Sequence, residues 1–206
     1  LFLWWVAGLG WLGLKPKRWV QWNRLLEGWW GHSIIRIPER IYGASMEIEG
    51  GEVLDQSNGP ILCFARHTSI IDTMLPLRIL EHQHRLTARI VKKRELLFDP
   101  AVDSISQRIP RTFVRRGGDP DGDLELVRRL ASGMGDDDGL WIFPEGTRFS
   151  PKKRRRVIDR LLEKGNPSAA SRAEQLRYTL PPRPGGALAL LEQCQGMDVV
   201  FCAHTG

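Results

Sequence analysis

Two short stretches of this chain hold residue types that can do chemistry together. The first is Arg66-His67-Thr68-Ser69-Ile70-Ile71-Asp72. Five positions separate His67 from Asp72, which on one regular helix sets them about 140° apart, on different faces. They meet if His67 sits in a turn after a strand and Asp72 in the first turn of the next helix, with Ser69 as N-cap. A carboxylate on one imidazole nitrogen fixes the tautomer and stabilises the imidazolium, which leaves the other nitrogen as a general base. The second stretch is Phe143-Pro144-Glu145-Gly146-Thr147-Arg148. Pro144 ends a strand, and Gly146 permits a turn that brings backbone close to a ligand. Glu145 and Arg148 set charges beyond the strand end, and arginine suits bidentate phosphate binding. Taken singly, each stretch is ordinary: His and Asp fall at this spacing by chance, and the second stretch alone reads as a turn with a surface ion pair. Cys63 and Ser69 lie close to His67, and both are read as structural residues rather than nucleophiles.

The elements that must position these residues follow from hydrophobic patterning. Residues 60–65 form a short apolar run after the turn signal Ser57-Asn58-Gly59, as expected for a buried parallel strand. Further strands are expected at 41–49, 88–91, 111–115, 139–143 and 198–203. Helices are expected at 70–80, 119–134 and 186–195. The helix at 119–134 carries acidic residues first and arginines later, as the helix dipole favours. Strands alternating with helices predict an α/β fold with a mainly parallel sheet flanked by helices. Both stretches then follow strands, at the carboxyl edge where such sheets place their sites. The five basic residues at 152–156 read as a solvated, phosphate-friendly loop, and residues 164–183, with Gly165-Asn166-Pro167-Ser168 and Pro181-Pro182, as a loop-rich connection.

With 206 residues, 42% hydrophobic and 26% charged, the chain is long and apolar enough for a globular domain with a real core. A net charge of +6 favours acidic partners such as phosphorylated metabolites or anionic lipid. The basic run lacks aromatic interleaving, so no nucleic-acid partner is expected. Cys63, Cys194 and Cys202 have neither disulfide nor metal-ligand spacing, which suits a reduced, cytosol-facing location. Residues 1–14 are apolar and uncharged, short of the roughly 20 needed to span a bilayer. The basic knot Lys15-Pro16-Lys17-Arg18 follows, and seven of the eight tryptophans fall within the first 30 residues. Trp19, Trp22, Leu26 and Trp29 recur at helical spacing. Tryptophan beside Lys and Arg is the composition of a helix lying in a membrane interface. Residues 1–32 are therefore read as an N-terminal Trp-rich membrane-associating helical segment and 33–206 as the catalytic domain. Both ends are expected to be cut from a longer protein. Removing residues 1–30 is expected to weaken membrane binding and leave the fold.

Taken together, the His-x-x-x-x-Asp stretch and Phe143 to Arg148, about 70 residues later, resemble the glycerolipid acyltransferases, most closely the lysophosphatidic acid (1-acylglycerol-3-phosphate) acyltransferases. The resemblance runs from about residue 41 to 206. Thr112-Phe113-Val114-Arg115-Arg116 is similar to that family's second block, with Arg116 at its arginine and Pro110 replacing a usual glycine. Residues 199–203 are similar to the fourth block, with Phe201 where a proline is usual. Arg66 stands where many members have Asn, and Leu180-Pro181-Pro182-Arg183 is similar to a Pro-Arg element of one branch. The resemblance implies transfer of an acyl chain from acyl-CoA or acyl carrier protein to the free hydroxyl of lysophosphatidate, giving phosphatidate. His67 would be the general base and Asp72 its orienting carboxylate. Arg116, Glu145, Gly146, Thr147 and Arg148 would hold the acceptor's glycerol phosphate. No cofactor is implied beyond the acyl donor, and the enzyme would work at a membrane with its site facing the cytoplasm. Glycerol 3-phosphate or another lysophospholipid as acceptor, or a non-catalytic lipid binder, are the alternatives.

Overall fold

The computed structural model describes residues 16–93, 98, 111–114 and 120–205. Its centre is a five-stranded parallel sheet flanked by helices. In chain order the strands are β1 (Ile61–Ala65), β2 (Thr87–Lys93), β3 (Arg111–Val114), β4 (Asp138–Ile142) and β5 (Asp198–Cys202), and their spatial order is β3-β2-β4-β1-β5. All four pairings are parallel, with Cys63 opposite both Trp141 and Val200. β1 therefore lies between β4 and β5, and the segments leaving these three strands emerge at one edge.

Alternation along β1 divides the core into two layers. Ile61, Cys63 and Ala65 pack on one face with Leu75, Leu77, Leu80 and Trp141. Leu62 and Phe64 pack on the other with Val127, Leu130 and Leu190. All five β1 residues are buried, which is why this strand reads as a continuous apolar run rather than an alternating one. The second face is covered by α3 (Pro120–Ala131) and α6 (Pro184–Gln193). The first is covered by α1 (Pro16–Tyr42), the single turn α2 (Val53–Gln56) and the segment after β1.

That segment was expected as a helix over 70–80. It is a 3₁₀ turn at Ile71–Met74 followed by a π-helical stretch at Leu77–Gln83. Pro76 lies between them and has no N–H to give, so no single hydrogen-bond ladder can run through.

Three other expectations are corrected. The strand at 41–49 does not form: α1 runs on through Tyr42, and residues 44–48 find no partner strand. The basic run at 152–156 is not a loop but the opening of α4 (Pro151–Glu163). The stretch 164–183 contains α5 (Pro167–Gln175). Ser150-Pro151 and Asn166-Pro167, read as turn signals, are an N-cap followed by proline in the first helical turn. Ser150 Oγ accepts from Lys153 N, and Asn166 Oδ1 accepts from Ala169 N.

α1 inverts the usual arrangement of an amphipathic helix. Its buried side carries Asn23, Glu27, Gly28, Gly31 and Ile35. Arg24 donates to Thr87, Glu27 pairs with Lys92 at 3.2 Å, and Glu39 pairs with Arg78 at 3.0 Å. Gly31 allows close approach, since a Cβ there would stand 2.5 Å from Leu77 Cβ. The opposite side exposes Trp22, Leu25, Trp29, Ile37 and Ile41. The contacts also set its direction: Arg24 lies at the start of β2, whereas Glu39 lies beside Arg78, early in the segment leaving β1. The helix therefore ends toward the carboxyl edge of the sheet. The expected face of Trp22 and Trp29 thus points outward, while Trp19 lies among residues whose side chains are outside the described set. Among the described residues, no helix is long and apolar enough to cross a membrane. Residues 1–15 lie outside the described residues.

Candidate active site

The end of β1 turns at Arg66 and His67, and Asp72 enters on the 3₁₀ turn, so the expected fold-back of the imidazole onto the carboxylate occurs. His67 Nδ1 is 3.3 Å from Asp72 Oδ2. The same oxygen accepts the amides of Thr68 at 2.5 Å and Ser69 at 2.7 Å. Ser69 Oγ accepts from Ile71 N, so it acts as a local cap and makes no bond to the imidazole. The Phe143 ring stacks on the His67 ring at a centroid distance of 4.2 Å. His67 Nε2 has no hydrogen-bond partner among the described residues.

Burial disfavours both charged forms, and the neighbours decide how far. The His67 pKa is lowered by burial, opposed by the hydrogen bond and charge of Asp72 and assisted downward by Arg148. Burial alone would raise Asp72, but the amides of Ser69 and Thr68, His204 and His67 outweigh it and hold the carboxyl below its ordinary value. The pair is therefore a neutral imidazole against an anionic carboxylate at neutral pH, the form a base must have. The nearby thiols are in the opposite condition. Burial and the neighbouring Cys202 push Cys63 up to about 12, and burial raises Cys202 as well. Neither offers a thiolate for an acyl-enzyme.

The second stretch leaves β4 and closes over His67. Phe149 N donates to the His67 carbonyl at 2.7 Å. Glu145 is buried, and its two oxygens accept backbone amides from two different loops: His67 N at 3.1 Å and Leu180 N at 2.9 Å. Its carboxylate ties loops together rather than facing outward. Gly146 has φ of +65°, and a Cβ there would meet the Arg183 side chain at 2.9 Å. Thr147 Oγ1 and the Arg148 carbonyl both accept from Lys153 Nζ at 2.9 Å. The Arg148 guanidinium is exposed, makes no ion pair among the described residues and is close enough to act on His67. Lys152, Arg155 and Arg156 are exposed on the first turns of α4, extending the positive surface from Arg148. Arg116 lies outside the described residues.

His67, Asp72 and Arg148 thus converge, while Glu145, Gly146 and Thr147 shape the loop beneath them. Two residues were missed in the sequence. Phe143 was read only as part of a strand. His204, at the end of β5, places Nε2 3.3 Å from Asp72 Oδ1, and no local spacing signals it because it is 132 positions from Asp72 in the chain.

The family described as Acyltransferase matches residues 45–201, which covers both loops and the whole sheet. The chain belongs to the acyltransferase family. No match was found among curated proteins or among solved structures. Family membership makes acyl transfer in lipid biosynthesis the reaction class and a lipid acceptor with an acyl donor the substrate class.

Proposed function

We propose that this acyltransferase moves an acyl chain from acyl-CoA or acyl carrier protein to the free hydroxyl of lysophosphatidate, giving phosphatidate. The observation that carries the reading is the His67–Asp72 pair with the second imidazole nitrogen open and the unpaired Arg148 guanidinium beside it. His67 Nε2 takes the proton of the acceptor hydroxyl as the oxygen attacks the thioester carbonyl. The new C–O bond forms, the C–S bond breaks, and the departing thiolate takes the proton back from the imidazolium. Asp72, bound to Nδ1, holds the productive tautomer and stabilises the charged ring between these steps. Arg148, with Arg116 as its partner from the second block, holds the acceptor phosphate. Glu145, Gly146 and Thr147 serve this phosphate site by shaping the loop that presents Arg148.

We further propose that the domain works lying on a bilayer, with the active edge toward the cytoplasm. The outward stripe of Trp22, Leu25, Trp29, Ile37 and Ile41 suits the interface, where tryptophan rings bridge tails and headgroups. The expectation that residues 1–30 can be removed without harm needs correction, because Glu27 and Gly28 pack against the domain. Exchanging Trp22 and Trp29 for serine tests docking without removing those contacts.

The deciding experiment is turnover of the purified enzyme with acyl-CoA and a panel of acceptors: lysophosphatidate, glycerol 3-phosphate, another lysophospholipid and monoacylglycerol. Lysophosphatidate is expected to be fastest, and His67→Ala to lose about 10²–10⁴-fold. Equal rates with monoacylglycerol, or full activity without His67, would overturn the reading.

A further inference from the structure

Asp72 is shared by two histidines that approach it from opposite sides. Oδ2 is crowded, receiving the Thr68 and Ser69 amides and His67 Nδ1. Oδ1 has one donor among the described residues, His204 Nε2 at 3.3 Å. The Asp72 side chain is almost fully buried, and that of His204 is 26% exposed. His204 is itself anchored: its carbonyl accepts from Arg66 Nη1 at 2.6 Å, and Arg66 is the residue before His67. The second nitrogen of the same guanidinium donates to the Tyr178 carbonyl at 2.9 Å. The carboxyl end of β5 is thereby fastened to the loop that carries the base.

We propose that His204 is a positioning residue for acyl transfer, holding the Asp72 carboxylate from behind so that its other oxygen presents to His67. The inference rests on the proposed role of His67 as base. A carboxylate bonded at one oxygen alone can swing about its terminal torsion, which is broad for aspartate. A donor on Oδ1 removes that freedom and fixes the direction from which His67 Nδ1–H is accepted. The geometry demands opposite tautomers in the two neutral rings: His67 carries its proton on Nδ1 and leaves Nε2 as base, whereas His204 carries its proton on Nε2. His204 does not reach the reacting atoms by this route. It acts through Asp72.

The test combines kinetics with nitrogen NMR of the imidazoles in the full chain. In the unsubstituted protein the two histidines are expected to show opposite tautomers, and Asp72→Asn to perturb both signals. His204→Leu is expected to lower kcat about 10–100-fold with little change in acceptor KM, the scale of one hydrogen bond to a charged group. It is also expected to shift the His67 Nδ1–H resonance. His204→Gln, whose amide nitrogen can reach Oδ1 as a donor, is expected to recover most of the rate and the resonance. The proposal is overturned if His204 carries its proton on Nδ1, or if His204→Leu is folded yet leaves kcat and the His67 signal unchanged. It is overturned equally if both variants lose activity alike with His67 unperturbed. Failure of the underlying reading is separate, since it appears as full turnover in His67→Ala whatever His204 does.

Discussion

Glu145→Gln separates two roles for the most buried charge of the second stretch. As a phosphate-site residue Glu145 would govern acceptor binding. In the structure both of its oxygens are taken by backbone amides, one from the His67 loop and one from the segment at Leu180. Glutamine keeps one acceptor and sets an NH₂ group against the other amide. One hydrogen bond to a charged group is lost, worth about 1.5–3 kcal/mol, and a buried N–H is left unsatisfied at about 1–3 kcal/mol more. With relaxation of the loop, a net cost of about 3 kcal/mol follows from the same range. For a chain of this length each kcal/mol moves Tm by roughly 2–4 °C, so thermal unfolding is expected about 6–12 °C lower. The His67 amide is one of the two released, so kcat is expected to fall about tenfold with acceptor KM nearly constant, as positioning effects do. The assay is a melting curve beside steady-state kinetics with lysophosphatidate. An unchanged Tm with a raised KM for phosphorylated acceptors alone would refute the reasoning and return Glu145 to the ligand.

The acid limb of kcat/KM is expected below pH 6.5, because burial lowers His67 and the working form is the neutral ring. Asp72→Asn removes a group that raises His67, so the limb moves lower still, while Arg148→Ala removes a cation that lowers it, so the limb moves up as acceptor KM rises. A downward move in Arg148→Ala would contradict the assignment. Gly31→Ala is expected to destabilise by about 1–3 kcal/mol through overpacking against Leu77, seen as a lower Tm and faster amide exchange in α1.

The sheet was legible because its strands are short apolar runs bounded by Gly, Asn and Pro, a pattern that burial on both faces imposes. β1, β2, β4 and β5 fall within a few residues of their expected places. The helices that begin Ser150-Pro151 and Asn166-Pro167 were not legible as helices, because a capping side chain followed by proline has the composition of a turn. α1 was read correctly as a helix with an apolar face, but the direction of that face is a tertiary fact. It depends on Glu27 finding Lys92 and Glu39 finding Arg78, which are far apart in the chain. In the site, the His67–Asp72 geometry followed from local spacing. Glu145 was mistaken for a ligand contact because a carboxylate after a strand can face outward or turn back to amides, and spacing does not distinguish the two. His204 needed β5 beside β1 before it could meet Asp72.

The seam that fastens α1 to the domain has a practical bearing on how the protein can be handled. Its attachments include the charged and polar pairs Arg24–Thr87, Glu27–Lys92 and Glu39–Arg78, together with the close fit of Gly31 on Leu77. A mild detergent competes for apolar surface, and here that surface lies on the far side of the helix. Solubilisation can therefore coat Trp22, Trp29 and Ile41 with a micelle and leave the inner seam intact. Concentrated salt is the harsher treatment for such a joint, since it screens the charge pairs that detergent does not touch.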